Sequence, residues 1–503
     1  MKSFLRPWIR RRLQGYREQV NEVDTSKPLR TGSVRTVAVV GGGLAGIAAA
    51  SLLGERGFQV RLFDKNRYLG GKVGSWAVEF PDGFRAQVDH GFHAFFRHYY
   101  NLSRFLDETG VRGNLQGIED YLILDRGGRR YGFAGVDTTP VLNILSLMRN
   151  GFFSLRDLAF NRRIGELRAL LRYDRRRTFE AWDGISYDQF AARARLPAGL
   201  KLVFGAFARA FFTPGDRISA AELIKAFHFF YLSHDHGLLY DYFTRNYHEA
   251  LIEPVLSRLS AAGVRVELGA PVEELARGHD RFRVNGQPFD YVILAADTAG
   301  TRRLAERSPW LRDSAPELHR RLTGLRSSPG YAVLRIWLDR REGEGWPVFV
   351  VTEKRQVLDS VTFYHRFDPD ARDWARGTGG GVYELHCYAL PPGLSTEAEV
   401  RAELLRELYH YLPALRDARV LYEHLQLRRD FTAFDRGLHE ARPGYDPGVA
   451  NLYLAGDWVK LPVPAMLMEA AFTSGLFSAN AVLAANGLRE EPVWSVPRKG
   501  ILA

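Results

Sequence analysis

Cysteine is almost absent from this chain, and so are the patterns that would assign it to several common classes of protein. Among 503 residues there is one cysteine, Cys387, so neither an internal disulfide nor a cysteine-based zinc or iron–sulfur site can form. The basic N-terminus is not followed by an unbroken apolar segment, and we therefore expect no secretory signal. No zinc finger or RNA-binding signature accompanies the net charge of +11, so nucleic acid is not the expected partner. These absences favour a protein of the reducing cytoplasm.

Long uncharged runs are also scarce, and the first of them covers residues 36–54, "TVAVVGGGLAGIAAASLLG". Nineteen residues without charge can suggest a membrane span, but five of these are glycine. The pattern instead predicts a strand, a tight turn and a buried helix. A chain of 503 residues is too long for one core, so we expect two or more domains.

The first motif begins within the uncharged run 36–54. A buried strand over 37–40 is followed by Gly41, Gly43 and Gly46, which form G-x-G-x-x-G, and then by a helix from about Ala45 to Glu55. The glycines allow a tight turn, close approach of a pyrophosphate and close helix packing, and the helix directs its first N–H groups at the phosphates. A second strand, 59–63, ends at Asp64, whose carboxylate can accept from ribose hydroxyls. This order predicts a dinucleotide site.

Two further segments indicate FAD rather than NAD. Gly70, Gly71 and Lys72 suit a loop that wraps a ribityl pyrophosphate, which a plain NAD dehydrogenase does not need. Near the C-terminus, strand 452–454 leads to Gly456 and Asp457, where the carboxylate can hold a ribityl hydroxyl. A helix from about 465 to 485 then directs its N-terminal dipole at the flavin. The predicted cofactor-binding residues are Gly41, Gly43, Leu44, Ala45, Gly46, Asp64, Lys65, Gly70, Gly71, Lys72, Val272, Gly456, Asp457 and Met468.

The N-terminal segment "MKSFLRPWIRRRLQGYREQV" has six Lys or Arg residues in its first 17 positions and no acid. Helical spacing places its apolar residues on one side, and these are Phe4, Leu5, Trp8, Ile9, Leu13, Tyr16 and Val20. Such a helix can lie in a bilayer interface or can pack on its own domain with a solvated basic face, and the sequence favours neither.

With these motifs in place, the chain resembles the flavin-containing amine oxidase and carotenoid desaturase superfamily from residue 35 to about 488. Segments 90–102, 207–232 with 237–242, and 452–480 are similar to the β-carotene desaturase/methylases, which are the carotenoid φ- or χ-ring synthases. The resemblance implies an α/β fold, in which a Rossmann-like FAD-binding domain of the amine-oxidase type is interleaved with a mixed α+β substrate domain. It also implies conversion of a β-ionone ring of β- or γ-carotene to an aromatic ring by desaturation with methyl migration.

The expected division of the chain follows the motifs. The FAD-binding domain is predicted to comprise 35–110, 256–312 and 445–488. A helical substrate part that faces the membrane is predicted over 111–255, and the sheet of the substrate domain over 313–444. Residues 1–34 form the basic extension and 489–503 a tail. Within 111–255, residues 140–160 and 226–232 are apolar and aromatic but too short to span a bilayer, so they can contact one leaflet or form an ordinary core.

The aromatic segment "VDHGFHAFFRHYYNL", 88–102, permits three interpretations. A metal site is disfavoured, because its histidines have the wrong phase for one strand face. The aromatic rings can pack as a core, or they can line a pocket for an apolar polyene. The resemblance implies that His93 lines the flavin face. Our catalytic candidates are His93 as a base or positioning group, Asp89 as an orienting group or alternative base, Trp458 as a stacking wall and Asp241 as a second acid, with no metal.

Three other functions stay open at this stage. The chain can be a carotenoid desaturase or isomerase that leaves the ring unchanged, an amine oxidase, or a flavin-stabilised carrier without activity. We expect a cytoplasmic protein that is peripheral to the inner face of the membrane. The sequence does not identify the electron acceptor, for which a quinone and O₂ are both open.

Overall fold

Five parallel strands form the first sheet, and they come from three distant parts of the chain. The structure, a computed structural model, describes residues 2–154, 156–157, 161–237 and 239–503, without the side chains of 2–4 and 164. The strands, in spatial order, are Arg265–Glu267, Gln59–Phe63, Thr36–Val40, Tyr291–Leu294 and Leu452–Leu454. Their short apolar sequences fit strands that are buried on both faces. The glycine turn after the middle strand therefore emerges at the carboxyl edge, where open α/β sheets bind ligands.

Two helices cover this edge. The glycine-loop helix, Leu44–Glu55, follows the turn, and the closing helix, Leu467–Ala485, packs across it. A side chain at Gly475 would overlap the carbonyl oxygen of Ala45, so the two helices approach as closely as glycine permits. The predicted strand, turn and helix over 36–54 are confirmed. The closing helix begins two residues later than expected, because Met466 is still extended.

The second sheet has seven strands and carries the opposite wall of the cavity described below. Its order is Val420–Arg428, Tyr331–Leu338, Gly381–Cys387, Ser360–Phe363, Phe349–Thr352, Leu122–Leu124 and Arg130–Gly132. All neighbours are antiparallel except the pair of 349–352 with 122–124. The predicted α/β fold, with a Rossmann-like domain interleaved with a mixed α+β domain, is thus confirmed.

The remaining elements connect and flank these sheets. Smaller sheets comprise Leu275–Arg277, Phe282–Val284 and Gln287–Phe289; Ser75–Glu79 with Arg85–Asp89; Leu115–Gly117 with Asp241–Phe243; and Glu18–Gln19 with Trp494–Ser495. The other α-helices are Lys2–Arg12, Tyr100–Glu108, Leu142–Arg149, Arg168–Leu171, Arg175–Trp182, Tyr187–Arg193, Ala198–Arg209, Ala220–Phe227, Glu253–Ala261, Thr298–Glu306, Pro309–Ser314, Pro316–Thr323, Pro369–Thr378 and Glu397–Tyr411. Short 3₁₀ turns cover Gln14–Tyr16, Gly71–Val73, Arg112–Asn114, Ile164–Leu167, Tyr364–Arg366 and Pro413–Leu415, and π-helical turns cover His228–Leu232 and His248–Ile252.

The N-terminal helix divides its apolar residues between two environments. Ile9, Leu13 and Tyr16 are buried against Ile501 of the tail, whereas Trp8 is 46 % exposed. The interpretation as a packed helix therefore holds for one part of this face and leaves the other part free. The predicted apolar side chain of Phe4 is not among the described side chains. Parts of two other predicted segments lie outside the described residues, and these are Leu155, Leu158, Ala159, Phe160 and Leu238.

Within the described part of the chain, one helix is long and apolar enough by composition to cross a membrane. It is the closing helix, and 72 % of its most apolar window is buried inside the molecule. Burial of this kind is typical of a core helix, so the helix is weak evidence for a span.

Candidate active site

A cavity of about 480 Å³ is lined by the carboxyl edge of the parallel sheet on one side and by the seven-stranded sheet on the other. One end is rich in glycine and charged groups, and the other is rich in aromatic side chains. All the predicted cofactor-binding residues line it except Gly46. A side chain at Gly46 would overlap the Gly41 carbonyl oxygen, so this glycine allows the glycine-loop helix to pack and does not face the cavity.

The glycine turn provides an open cradle at the polar end. Gly41 has a φ of +117°, and a Cβ there would lie 2.5 Å from the carbonyl oxygen of Ala295. A Cβ at Gly43, in contrast, would meet no atom within 4 Å. No side chain caps the glycine-loop helix, so the N–H groups of its first turn, at Leu44 and Ala45, have no intrahelical partner. This arrangement fits an anionic pyrophosphate beside the helix N-terminus.

The carboxylate of Asp64 lies beside the cradle. Its oxygens accept hydrogen bonds from the backbone N–H groups of Gly42 and Asn66, both at 2.7 Å. Burial raises the pKa of Asp64, and these two donors oppose that rise. Each oxygen retains a lone pair for a ribose hydroxyl. The neighbouring Lys65 forms an ion pair with Asp297 at 3.1 Å.

The second glycine pair closes over the first. Gly70 and Gly71 both have positive φ, +101° and +58°, and the N–H of Gly70 donates to the carbonyl of Gly42 at 2.8 Å. Lys72 then places its ammonium 4.8 Å from the ring centre of Phe431. Burial opposes its charge, but Asp457, Asp430 and Asp297 raise the pKa of Lys72 above its usual value, so the side chain is a cation.

The C-terminal motif completes the polar end. Gly456 has a φ of +140°, and its N–H donates to the hydroxyl of Ser474 on the closing helix at 2.7 Å. The carboxylate of Asp457 accepts from Thr432 at 2.8 Å, and Met468 lines the cavity in the first turn of that helix. Val272 lines it from the loop after strand 265–267. The open cradle, the free helix N-terminus and the flanking carboxylates fit FAD.

The aromatic segment 88–102 forms both a wall and a core. Phe92, His93, Phe96 and Tyr99 line the cavity, whereas Phe95 is buried away from it. The two interpretations left open by the sequence therefore apply to different residues of the same segment. Within the described residues, no group of three or more His, Cys, Asp or Glu side chains is arranged to hold a metal ion.

His93 has a defined tautomer. Its Nδ1 lies 2.7 Å from the carbonyl oxygen of Gly91, which can only accept, so Nδ1 carries the proton and Nε2 bears the lone pair. Burial lowers the pKa of His93 to about 4. Its backbone N–H donates to the hydroxyl of Tyr247 at 2.8 Å, and the N–H of Tyr247 donates to Asp89 at 2.9 Å. Asp89 is thus linked to His93 through Tyr247, as an orienting group would be.

Neither of the two carboxylates predicted as catalytic candidates, Asp89 and Asp241, lines the cavity. Asp89 is buried beside Arg335, with 3.8 Å between the charged groups, and burial raises the pKa of Asp89 to about 6. Asp241 accepts from Arg97 at 2.8 Å and 3.0 Å and lies outside the cavity lining. Its carboxylate already has a cationic partner, so we do not assign Asp241 to the chemistry.

Trp458 is fully buried and lines the cavity beside Gly456. Its indole N–H donates to the carbonyl of Ala296 at 2.9 Å, which fixes the ring between the ends of two parallel strands. This position is compatible with both the predicted stacking wall and the packing role.

Sequence reasoning missed the contribution of the seven-stranded sheet. His386 and Tyr388 line the cavity from strand 381–387 and the residue after it, and Glu384 lies beneath them. The alternation in "YELHCY" carried a signal, because a buried strand that contains a Glu and a His two residues apart is uncommon. The other missed lining residues are aromatic or apolar and include Tyr121, Phe133, Phe207, Phe212, Phe230, Tyr240, Tyr331, Phe349 and Phe431.

Comparison with known proteins agrees with this geometry. Residues 44–483 match the family model described as flavin containing amine oxidoreductase. The carotenoid phi-ring synthase of Streptomyces griseus is 38 % identical over 488 residues, which covers 93 % of this chain and 92 % of that protein. The carotenoid phi-ring synthase of Chlorobaculum tepidum is 28 % identical, with 93 % and 91 % covered. The solved cyclohexylamine oxidase of Brevibacterium oxydans shares the fold, with a TM-score of 0.63, 13 % identity, and 90 % and 99 % covered.

Proposed function

The chain belongs to the flavin containing amine oxidoreductase family and is an FAD-dependent oxidoreductase, and within that family we propose that it converts a β-ionone ring of β- or γ-carotene to an aromatic ring. The relatives reported above are both named phi-ring synthases, so of the two ring types we propose the φ-type product. The observation that carries this proposal is the cavity itself, because the flavin cradle and an aromatic chamber belong to one continuous cavity.

The reaction sets clear demands on the chamber. A ring that becomes an arene loses four hydrogens, as two hydrides and two protons, and one gem-methyl group must move to the neighbouring carbon. FAD, when bound, supplies the hydride acceptor, and a quinone or O₂ restores it between the two steps. The rest of the chemistry is a substrate carbocation, which needs a dry site, aromatic faces and a base.

The chamber provides the first two of these. Phe207, Phe230 and Phe349 line the cavity together with Phe212, and Phe207 and Phe230 meet edge to face with ring centres 5.0 Å apart. Phe212 has a φ of +55°, an uncommon conformation for a bulky residue, and this turn places its ring at the cavity wall. Aromatic faces that exclude water stabilise a cation through the ring quadrupole.

His93 is the predicted group at the flavin face. Its Nε2 has a lone pair, but its low pKa makes it a weak base, so we propose that it positions the ring of the substrate. Asp89 holds it indirectly, through Tyr247.

The test is expression in a host that accumulates β-carotene, followed by mass and NMR analysis of its pigments. We expect products that have lost four hydrogens per modified ring and that show aromatic ring protons. A lengthened polyene with an intact ring would instead assign the chain to the desaturases. Oxidation of amines with no change in the pigments would assign it to the amine oxidases.

We also propose that the protein works at the cytoplasmic face of the membrane. The helix Lys2–Arg12 is joined to the segment before helix Leu142–Arg149 by the ion pair of Arg6 with Asp137 at 3.1 Å. The two helices expose Trp8 and Leu145, 46 % and 44 % respectively, beside a run of exposed arginines at 10–12. Basic residues around exposed apolar side chains favour an anionic lipid surface.

Aromatic side chains pack between this surface and the cavity. Phe152 follows the helix 142–149 and lies 5.2 Å from Phe133, which stacks on Tyr121 at 4.3 Å, and the last two line the cavity. We propose that an apolar substrate enters the chamber from this side, where the side chains between the surface and the cavity are aromatic.

Sedimentation with vesicles of mixed anionic and neutral phospholipid tests this proposal. Trp8→Glu is expected to weaken binding, and added salt is expected to weaken it further. Leu421→Glu is the matched control, because Leu421 is 41 % exposed on the edge strand of the seven-stranded sheet, away from the two helices. An equal loss of vesicle binding in both variants would contradict the proposed surface. Unchanged vesicle binding by Trp8→Glu would contradict it as well.

A further inference from the structure

Three histidines line the same cavity, and each has a different partner. Nε2 of His90 lies 3.0 Å from the hydroxyl of Tyr331. His93 has the Gly91 carbonyl as its partner, and His386 has a carboxylate. Nε2 of His386 lies 2.8 Å from Oε1 of Glu384, and the two residues share one face of strand 381–387. A Cβ at Gly91 would lie 3.0 Å from Cε1 of His386, so this glycine lets the backbone that precedes His93 approach the imidazole of His386.

Glu384 is held as an anion. Burial opposes its ionisation, but the guanidinium of Arg335 and the hydrogen bond from His386 lower the pKa of Glu384 to about 2. Arg335 donates to it at 2.6 Å and 3.1 Å, and the backbone N–H of Phe92 donates at 2.8 Å. A carboxylate can only accept, so the proton of neutral His386 is on Nε2 and its lone pair is on Nδ1.

Of these three histidines, His386 is the one with a carboxylate partner beside its imidazole. When a neutral imidazole accepts a proton, it becomes a cation, and in a buried site that cation must be balanced. Arg335 pairs with both Glu384 and Asp89, at 2.6 Å and 3.8 Å, so this buried group of two carboxylates and one guanidinium keeps one negative charge beside His386, whereas His93 has only a carbonyl. A carboxylate that both orients an imidazole and balances its charge is the arrangement that general-base histidines use.

We infer that His386, oriented by Glu384, is the general base that removes the ring protons. This inference rests on the proposed function. In each dehydrogenation, hydride loss to the bound flavin would leave a ring cation. In one of the two, a gem-methyl group then moves with its electron pair to the cationic carbon, and the cation is left on the carbon from which the methyl group departed. A C–H bond on the carbon next to that cation then breaks, its electron pair forms the new C=C bond, and the proton goes to Nδ1 of His386. The resulting imidazolium pairs with Glu384 until the proton passes to solvent, and a quinone or O₂ reoxidises the flavin before the second step.

The test uses purified holoenzyme and β-carotene in lipid vesicles. His386→Gln is expected to lower the rate of dehydrogenation by about 100-fold or more, the usual contribution of a general base. Carotenoid binding by this variant is expected to stay unchanged. It is measured by tryptophan fluorescence, on enzyme whose flavin has first been reduced with dithionite. If His386→Gln does not accumulate with bound flavin, His386→Asn serves the same purpose.

His365→Gln is the matched control. His365 is also buried and also lies close to a glutamate, Glu342 at 3.3 Å, but it does not line the cavity, so the rate is expected to stay near that of the wild type. A wild-type rate in His386→Gln overturns the inference, and so does a loss of carotenoid binding equal to the loss of rate.

Failure of the proposed function has a different signature. A wild-type enzyme that lengthens the polyene and leaves the ring intact refutes ring aromatisation. Any such C–C dehydrogenation still releases a proton, so a matching loss of rate in His386→Gln would support the base even then.

Discussion

The cradle at Gly43 allows one substitution that removes the cofactor without disturbing the fold. A side chain there enters open space, since a Cβ would meet no atom within 4 Å, and the φ of −77° suits any residue. Gly43→Asp therefore places a carboxylate where the cavity would receive the pyrophosphate. Two like unit charges 4 Å apart at an effective dielectric constant of 20 repel by about 4 kcal/mol, or roughly a thousandfold in affinity.

The assay is the ratio of flavin to protein after purification, followed by titration of the apoprotein with FAD. Gly43→Asp is expected to be isolated without flavin, and Gly43→Ala is expected to lose less affinity because it adds bulk without charge. The control is Gly113→Asp, at an exposed glycine where a Cβ also has no neighbour within 4 Å. Wild-type affinity for FAD in Gly43→Asp would refute the cradle, and so would equal loss in both aspartate variants.

Three further outcomes follow from positions described above. Asp241→Asn is expected to keep the wild-type rate of pigment conversion, because the carboxylate pairs with Arg97 outside the cavity; a large loss of rate would return it to the active site. His228 is fully buried, and burial lowers its pKa to about 4 from 6.5, so the folded state binds fewer protons than the unfolded state and stability falls as the pH drops from 6.5 towards 4. His228→Gln is expected to reduce the loss of unfolding free energy between pH 7 and 4.5, measured by urea denaturation, by about 2 kcal/mol, and an unchanged loss would contradict this linkage. Gly475→Leu is expected to prevent folding or flavin binding in expression trials, since its side chain would overlap the Ala45 carbonyl, whereas soluble yellow protein would show that the two helices can separate.

The sequence was sufficient for the nucleotide half of the molecule, because that half depends on local rules. The nucleotide motif consists of a short buried strand, spaced glycines and an acid at the end of the next strand. These features lie close together in the sequence, so each one supports the prediction of the others. Strands 59–63 and 452–454 have the predicted bounds, and the glycine-loop helix begins one residue earlier than expected, at Leu44. Gly46 is the exception among the cofactor-binding predictions, because its small size serves helix packing and leaves it outside the cavity.

The chamber could not be predicted in the same way. Its wall joins segment 88–102 to strands that lie more than 200 residues later in the sequence. The local spacing of apolar residues does not indicate which distant segments come into contact. His386 was therefore missed, although its neighbour Glu384 interrupts an otherwise apolar strand. The position of Asp241 outside the cavity lining could not be predicted for a related reason, since its partner Arg97 lies 144 residues away. Charged residues reveal their role only when the partner that neutralises them is known.

The order of the parallel strands has a consequence for biogenesis. The middle pair, 36–40 and 291–294, and the edge strand 452–454 leave the ribosome at widely separated times, and the closing helix leaves last. Such long-range pairing is slow and leaves unpaired strand edges exposed during synthesis. The nascent polypeptide therefore cannot retain its prosthetic group until translation is nearly complete. A C-terminal truncation that removes residues 452–503 should yield an aggregation-prone, uncoloured chain and not a weakened catalyst.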